Sequence, residues 1–226
     1  MKIVTILLAG GKGSRFGEKK QFIKLKGEPL FQFSLNTINK IEEITDIILV
    51  LPEEDLDRVK VFSFKNVKKV RGGKERQDSV KNALDTIGNA DIIIVHDSAR
   101  PFATESMFLD GINNVKKGYD GSITAIPARD TIKKVENNIV FNTLDRKNLY
   151  IIQTPQTFKF DVLKKAYQKA YEDNFLGTDD ASLVERIGGK VIINKGSILN
   201  FKITTKEDII LANCLVGKGQ KLQPPI

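Results

Sequence analysis

A glycine-rich basic loop follows an apolar run near the start of the chain. The run from Ile3 to Leu8 is unbroken, which is typical of a strand buried on both faces of a parallel sheet. The glycines that follow allow positive φ and bring amide N–H groups close to anionic oxygens, while the cations supply compensating charge. The loop therefore predicts a site for nucleotide phosphates. It reads Ala9-Gly10-Gly11-Lys12-Gly13-Ser14-Arg15-Phe16-Gly17-Glu18-Lys19-Lys20.

The glycine spacing excludes two common phosphate-binding motifs. A P-loop reads Gly-x-x-x-x-Gly-Lys-Ser/Thr, and no pair of glycines in the loop has that spacing. A Rossmann fingerprint reads Gly-x-Gly-x-x-Gly, which the stretch from Gly11 to Gly17 does not match. The loop alone leaves a second interpretation open, namely a strand-to-helix turn with solvated lysines.

A polar motif follows another apolar run, Asp91 to Val95. Ligands of open α/β sheets bind at the carboxyl ends of strands, so this position favours function. Asp97 is a candidate Mg²⁺ ligand, because Mg²⁺ combines few carboxylates with substrate phosphates and water. Arg100 is a candidate phosphate ligand, and the alternative is an Asp–Arg pair that only braces the loop. We interpret His96 as structural, since metal-assisted phosphoryl-type transfer needs little protein acid–base chemistry. The motif is His96-Asp97-Ser98-Ala99-Arg100-Pro101.

A second glycine turn lies between Val70 and Ser79 and leads into a helical pattern. Gly72, Gly73 and the Ser79 hydroxyl are candidates for reading a base edge or a ribose. The alternative is an ordinary loop in which Asp78 or Ser79 is the N-cap of the helix. By itself, the turn favours that alternative.

Composition narrows the classes of function. The formal net charge is +8, but the lysines are scattered, tryptophan is absent, and no tract has the interleaved aromatic residues of a nucleic-acid stacking platform. We therefore expect a small polyanionic substrate and no nucleic acid. No apolar stretch has the length of a membrane span or a signal peptide, so we expect a cytoplasmic protein with no membrane partner. Cys214, the only cysteine, is expected as a small core residue.

Apolar runs of strand length alternate with helix-like stretches. The helical pattern is clearest at Asp78 to Ile87 and at Asp161 to Tyr171, and Thr204 to Glu207 has capping-box spacing. This alternation predicts an α/β fold with a doubly wound, mainly parallel sheet, and we expect residues 1–226 to form one domain. The predicted strands are Ile3 to Leu8, Ile47 to Leu51, Ile92 to Val95, Ser122 to Ile126, Tyr150 to Ile152 and Val191 to Ile193.

A protruding β-hairpin arm is predicted at about residues 129–149. Apolar and polar residues alternate there over short distances, helical periodicity is weak, and Glu136-Asn137-Asn138 favours a turn. A hairpin that cannot bury itself on its own domain often packs on another subunit. We therefore expect a homodimer in which the arms are exchanged.

Taken in order, the motifs resemble those of the 2-C-methyl-D-erythritol 4-phosphate cytidylyltransferase family of the non-mevalonate isoprenoid pathway. The resemblance extends from Ile3 to about Ala212, and the combination is far more specific than any single motif. The motifs are Leu-Ala-Gly-Gly-x-Gly-x-Arg, Lys-Gln-Phe, Gly-Gly-x-Glu-Arg-x-Asp-Ser, His-Asp-Ser-Ala-Arg-Pro, Arg-Asp-Thr, Asp-Arg, Gln-Thr-Pro-Gln-x-Phe, Thr-Asp-Asp-Ala-Ser and Phe-Lys-Ile-Thr.

This resemblance implies a Rossmann-like nucleotidyltransferase. It also implies that a sugar-alcohol phosphate attacks the α-phosphorus of CTP in line and that pyrophosphate leaves without a covalent enzyme intermediate. Mg²⁺ and positioned cations would then stabilise the charge that the reaction redistributes.

The resemblance also implies roles for individual residues. The implied catalytic residues are Arg15, Lys20, Arg146 and Lys202. The implied nucleotide-binding residues are Ala9, Gly10, Gly11, Lys12, Gly73, Lys74, Ser79 and Ser98. The implied residues for the acceptor are Arg100, Thr131, Arg146, Thr154 and Lys202, with Thr131 and Arg146 reaching it from the neighbouring subunit. Asp97 is the implied metal ligand.

Two departures from the family pattern lie in these motifs. The segment between Arg15 and Lys20 is shorter than usual, and Lys19 stands in the place of a proline. We expect Lys20 to be the phosphate ligand, because Gln21 and Phe22 follow it as in the family motif. Lys74 replaces an acidic residue, so its base contact is expected through the backbone.

Rival functions remain at this point. One is ribitol-5-phosphate cytidylyltransferase, whose central motif usually carries Val where Ala99 stands and which lacks the form Thr178-Asp-Asp-Ala-Ser182. Others are a non-catalytic nucleotide-binding regulator, which would be expected to lack Arg15, Lys20 or Asp97, and a nucleic-acid binder.

Overall fold

The computed structural model describes residues 1–11, 19 and 22–217. The strands are β1 (Ile3–Leu8), β2 (Lys24–Leu25), β3 (Glu28–Pro29), β4 (Asp46–Leu51), β5 (Asn66–Arg71), β6 (Ile92–Asp97), β7 (Gly121–Pro127), β8 (Lys133–Glu136), β9 (Ile139–Thr143), β10 (Tyr150–Lys159) and β11 (Val191–Lys195). The helices are α1 (Leu30–Asn39), α2 (Arg76–Leu84), α3 (Glu105–Lys116), α4 (Phe160–Glu172), α5 (Asp180–Arg186) and α6 (Lys206–Gly217).

A seven-stranded sheet in the order β11-β7-β10-β6-β1-β4-β5 dominates the described residues. The pairs β6-β1, β1-β4, β4-β5 and β11-β7 are parallel, while β10 runs antiparallel to both β6 and β7. The predicted mainly parallel α/β sheet is therefore confirmed. The antiparallel strand β10 separates the two parallel parts of the sheet, and its middle lies beside the carboxyl end of β6.

Helices cover both faces of the sheet. Val4 and Ile6 of β1 pack in one core with residues of α2, α4 and α5, while Ile3 and Leu7 pack in a second core with residues of α1 and α3. All of these β1 side chains are at most 1% exposed. The continuous apolar run thus has its predicted cause, burial on both faces.

The hairpin arm is formed by β8 and β9. Asn137 and Asn138 both have positive φ, 49° and 65°, as the tight turn between these strands requires. The arm exposes large apolar side chains to solvent, namely Val135, Ile139, Val140 and Phe141. The predicted hairpin is confirmed, and its apolar surface is not buried within the described part of its own chain.

Several local predictions differ from the structure. The edge strand β5 was not predicted, because its run of Asn, Lys and Arg with two valines carries little apolar signal. Cys214 lies in α6 as expected but is exposed, since Ala212 is the residue that this helix buries. The carboxylate that accepts from Thr204 and Thr205 N–H belongs to Asp208, one residue after the predicted Glu207. No helix in the described residues is long and apolar enough to cross a membrane.

We predict that Phe158→Ala destabilises the fold by about 3–5 kcal/mol, because Phe158 on β10 is fully buried and its removal leaves a cavity. Gly121 leaves room for the ring, since a Cβ atom there would lie 2.5 Å from Phe158 Cδ1. The matched control is Phe64→Ala, at a side chain that is 98% exposed, which should change stability by no more than about 0.5 kcal/mol. Urea unfolding measures both variants, and equal losses would contradict this account of the core.

Candidate active site

Two glycine turns meet at the carboxyl edge of the sheet. Gly10 follows β1 and Gly72 follows β5, and a Cβ atom on Gly10 would lie 3.4 Å from Gly72 Cα. The backbone is fixed here, because Ala9 N–H donates to Val50 O at 2.8 Å and Gly72 N–H donates to Leu51 O at 2.7 Å. The turn predicted for phosphates and the turn predicted for the nucleoside therefore adjoin each other.

The second turn is held by Ser79. Its Oγ accepts from Gly73 N–H at 2.9 Å and donates to Glu75 O at 3.1 Å. Only glycine fits at position 73, since a Cβ atom there would lie 2.2 Å from Asp78 Cβ. The expected cap at Asp78 or Ser79 is wrong, because α2 begins earlier and Glu75 is its N-cap, in a capping box with Asp78. Lys74 is exposed beside this turn.

The Asp97 carboxylate ends β6 and lies between two cations. Oδ1 accepts from Arg76 Nε at 3.1 Å, and Oδ2 accepts from Lys202 Nζ at 2.6 Å. Burial raises the pKa of Asp97, but Arg76 and Lys202 outweigh burial and hold that pKa well below its usual range. Asp97 is therefore ionised, and the alternative in which it braces the loop through the Arg100 side chain is not what the structure shows.

Arg76 joins Asp97 to a second carboxylate. Its Nη2 donates to Asp180 Oδ2 at 2.7 Å, and the Tyr167 hydroxyl donates to Asp180 Oδ1 at 2.5 Å. Burial lowers the pKa of Arg76, but Asp180 and Asp97 outweigh burial and raise it well above its usual value. Neither Arg76 nor Asp180 is among the predicted site residues. Both stand in motifs quoted above, but 104 positions separate them and no spacing indicates that they meet.

His96 is structural, in agreement with the sequence. Thr154 Oγ1 accepts from Asp97 N–H at 3.0 Å and also lies within hydrogen-bond distance of His96 Nδ1, at 3.0 Å. Nε2 lies 3.3 Å from Ser34 Oγ, and the ring packs on Phe108 with centroids 5.2 Å apart. Burial, assisted by Arg100, lowers the pKa of His96 to about 4. The imidazole is therefore neutral near pH 7 and orients Thr154.

A cleft of about 440 Å³ opens beside Asp97. Arg100 donates from Nη1 to Asn200 O at 2.7 Å and from Nη2 to Ile152 O at 3.4 Å. Its buried Nε has no hydrogen-bond partner among the described residues. The structure thus brings the predicted acceptor residues of the main body to one cavity. Its polar lining consists of Arg76, Asp97, Arg100, Gln153, Thr154, Gln156, Thr178, Asp179, Ser182, Glu185 and Lys202.

Lys19 is held by acidic residues of the turn after β4. Its Nζ lies 2.5 Å from Asp55 Oδ2 and 2.8 Å from Glu54 Oε1, and these hydrogen bonds raise the pKa of Lys19. The Lys19 side chain is thus already paired with two carboxylates. The predicted site residues that lie outside the described part of the chain are Lys12, Arg15 and Lys20.

The other predicted site residues divide between the edge of the sheet and the arm. Ala9 and Ser98 are buried at the ends of β1 and β6, while Gly11 is exposed. Thr131 and Arg146 are exposed at the base of the arm and do not line the cleft of their own chain. Arg146 Nη1 instead donates to a backbone carbonyl of the same segment.

The comparisons with known proteins agree on one family. The family model described as 2-C-methyl-D-erythritol 4-phosphate cytidylyltransferase matches residues 3–218. Proteins of that name from Dictyoglomus thermophilum and Aquifex aeolicus are 43% and 48% identical, over 97% and 94% of this chain and 98% and 97% of theirs. The crystal structure of 4-diphosphocytidyl-2C-methyl-D-erythritol synthase from Anaerococcus prevotii superposes with a TM-score of 0.83 at 32% identity, covering 96% of each chain.

We predict that stability falls as the pH is lowered from about 7 to 5, because the unfolded chain binds a proton at His96 below its ordinary pKa of 6.5 and the folded chain does not until about pH 4. The loss should be about 2 kcal/mol over that range. Urea unfolding at a series of pH values measures it. His96→Asn removes the only histidine and should flatten the dependence. An equally steep dependence in the variant would contradict this assignment.

Proposed function

Because the chain belongs to the 2-C-methyl-D-erythritol 4-phosphate cytidylyltransferase family, we propose that it transfers CMP from CTP to 2-C-methyl-D-erythritol 4-phosphate. The products are 4-diphosphocytidyl-2-C-methyl-D-erythritol and pyrophosphate. The observation that supports this reaction best is the meeting of two glycine turns, at Gly10 and Gly72, on the sheet edge where Asp97 pairs with Lys202. Nucleotide, metal and acceptor phosphate can be bound side by side at this edge.

The nucleotide occupies the paired glycine turns in this proposal. Gly10 and Gly11 present backbone amides to the triphosphate, with Lys12, Arg15 and Lys20 as its cations. The turn held by Ser79 binds cytosine and ribose, using Gly73, the backbone of Lys74, and Ser79. Ala9 and Ser98 complete the floor of this site.

Mg²⁺ is the proposed cofactor, and the residues present fit it. No group of three or more His, Cys, Asp and Glu side chains that could hold a metal occurs among the described residues. An ion that takes most of its ligands from phosphates and water needs no such group, and the ionised Asp97 offers it a carboxylate. Mg²⁺ bound there would neutralise charge on the phosphates of CTP.

The chemistry of the chain's own residues is positioning and charge stabilisation. The acceptor phosphate lies against Arg100 and Lys202 and attacks the α-phosphorus in line with the leaving pyrophosphate. Arg15 and Lys20 hold the charge that builds on the triphosphate as the bond breaks. Thr154 lines the same cleft and, through its bond with Asp97 N–H, sets the end of β6.

A homodimer with exchanged arms completes the acceptor site in our proposal. The exposed apolar side chains of the arm need a partner surface, and Arg146 and Thr131 lie away from the cleft of their own chain. Arm exchange would bring both residues to the neighbouring cleft, where the guanidinium binds the acceptor phosphate.

A pyrophosphate-release assay tests the reaction. Purified protein is incubated with CTP and Mg²⁺ and with either 2-C-methyl-D-erythritol 4-phosphate or ribitol 5-phosphate. Release with the first acceptor supports the proposal, and release with ribitol 5-phosphate alone would assign the rival activity. Binding of nucleic acid that survives excess CTP and falls steeply with salt would instead support the third rival.

We predict that Lys20→Ala lowers kcat on the order of 100-fold, the scale for losing one preorganised donor to the transition state. The matched control is Lys19→Ala, which should lower kcat much less, because Lys19 is already paired with Asp55 and Glu54. Steady-state rates of pyrophosphate release measure both variants. A greater loss from Lys19→Ala would show that the alignment through the shortened loop is wrong.

Subunit mixing tests the arm. An Arg146→Ala chain and a Lys20→Ala chain are each expected to be nearly inactive as homodimers. In a mixed dimer, arm exchange places both lesions in one site and leaves the other intact, so activity should recover toward half of the wild-type value per dimer. Differently tagged chains confirm that subunits have exchanged. If a fully exchanged sample stays inactive, Arg146 does not act across the dimer.

A further inference from the structure

Asp180 is a fully buried carboxylate that the proposed reaction does not use. It is 0% exposed and stands in the motif Thr178-Asp-Asp-Ala-Ser182, none of whose residues is a predicted site residue. Its neighbour Asp179 has an ordinary structural role, because its side chain accepts from Ser182 N–H as the N-cap of α5. Asp180 points elsewhere, toward Arg76 and Tyr167.

Arg76 is shared between Asp180 and Asp97, the proposed metal ligand. Nη2 lies 2.7 Å from Asp180 Oδ2, and Nε lies 3.1 Å from Asp97 Oδ1. Lys202 pairs with the other oxygen of Asp97 at 2.6 Å. The four side chains together carry two positive and two negative charges. Without Asp180, Arg76 would have Asp97 as its only carboxylate partner among the described residues. Its positive charge would then repel a cation bound at Asp97.

We propose that Asp180 is a positioning residue that neutralises the charge of Arg76. Arg76 can then orient the Asp97 carboxylate without repelling a divalent cation that binds to it. This inference rests on the proposed function. Arg76 holds Asp97 Oδ1 and Lys202 holds Oδ2, and a bound cation would take over from Lys202 as a counterion of Asp97. Lys202 is then free to contact a phosphate in the adjoining cleft. Asp180 touches neither substrate nor metal, and it acts through Arg76.

Binding of Mn²⁺ tests this proposal without relying on turnover. The electron paramagnetic resonance signal of free Mn²⁺ is titrated with full-length protein and CTP, with no acceptor present. Asp180→Asn keeps the shape of the side chain and removes its charge. It should raise the dissociation constant of Mn²⁺ about 10-fold or more, because Asp180 then no longer balances the charge of Arg76.

Two further variants separate charge from structure. Tyr167→Phe removes a hydrogen bond from the same carboxylate but no charge, and should leave Mn²⁺ binding within about 2-fold of wild type, because the charge balance is unchanged. Arg76→Gln removes the opposing cation and should tighten Mn²⁺ binding, the opposite sign to Asp180→Asn. It should also lower kcat, since Asp97 loses its orienting donor.

The outcomes are distinct. Wild-type protein that binds no Mn²⁺ with CTP contradicts the proposed metal site itself. If a folded Asp180→Asn variant binds Mn²⁺ as tightly as the wild type, only the role of Asp180 is overturned. The same holds if Tyr167→Phe weakens Mn²⁺ binding as much as Asp180→Asn does. Where Asp180→Asn does not fold, Arg76→Gln decides the matter, because weaker Mn²⁺ binding in that variant is incompatible with an opposing cation. Thermal unfolding of each variant establishes that it is folded.

Discussion

The ionised carboxylate of Asp97 is the constraint around which the site is built. It is 7% exposed, and a carboxylate removed from water costs several kcal/mol unless cations and hydrogen bonds replace the lost hydration. Arg76 and Lys202 supply that replacement at 3.1 and 2.6 Å. Arg76 in turn is partly buried and needs its own counterion, Asp180. The position of one charge thus determines which residues must surround it.

The topology of the sheet explains how distant segments reach this charge. Because β10 is inserted antiparallel between β6 and β7, its residue Thr154 lies beside the end of β6 and accepts from Asp97 N–H. Thr154 also contacts the buried His96, which is neutral because burial lowers its pKa to about 4. The polar groups behind Asp97 therefore add no positive charge, and its two cations come from the cleft side.

The sequence predicted what depends on local pattern. The uninterrupted run of β1 indicated a strand buried on both faces, and Glu136-Asn137-Asn138 indicated the turn of the arm. Local pattern could not show that Arg76 meets Asp180, because their contact depends on how α2 and α5 pack on the sheet. For the same reason, Cys214 was placed on the wrong face of α6. A resemblance that covered nearly the whole chain identified the family, and no individual motif would have done so.

The hydrogen bonds that Arg100 already makes affect how an acceptor phosphate can be bound. Both of its terminal nitrogens donate to backbone carbonyls of the cleft wall, while its buried Nε has no hydrogen-bond partner among the described residues. Lys202 donates to Asp97 Oδ2 at 2.6 Å. The two guanidinium groups that line this cleft, those of Arg76 and Arg100, therefore already donate to carboxylates or to backbone carbonyls. In the proposed dimer, Arg146 on the exposed apolar arm would supply further positive charge to the acceptor phosphate from the second chain.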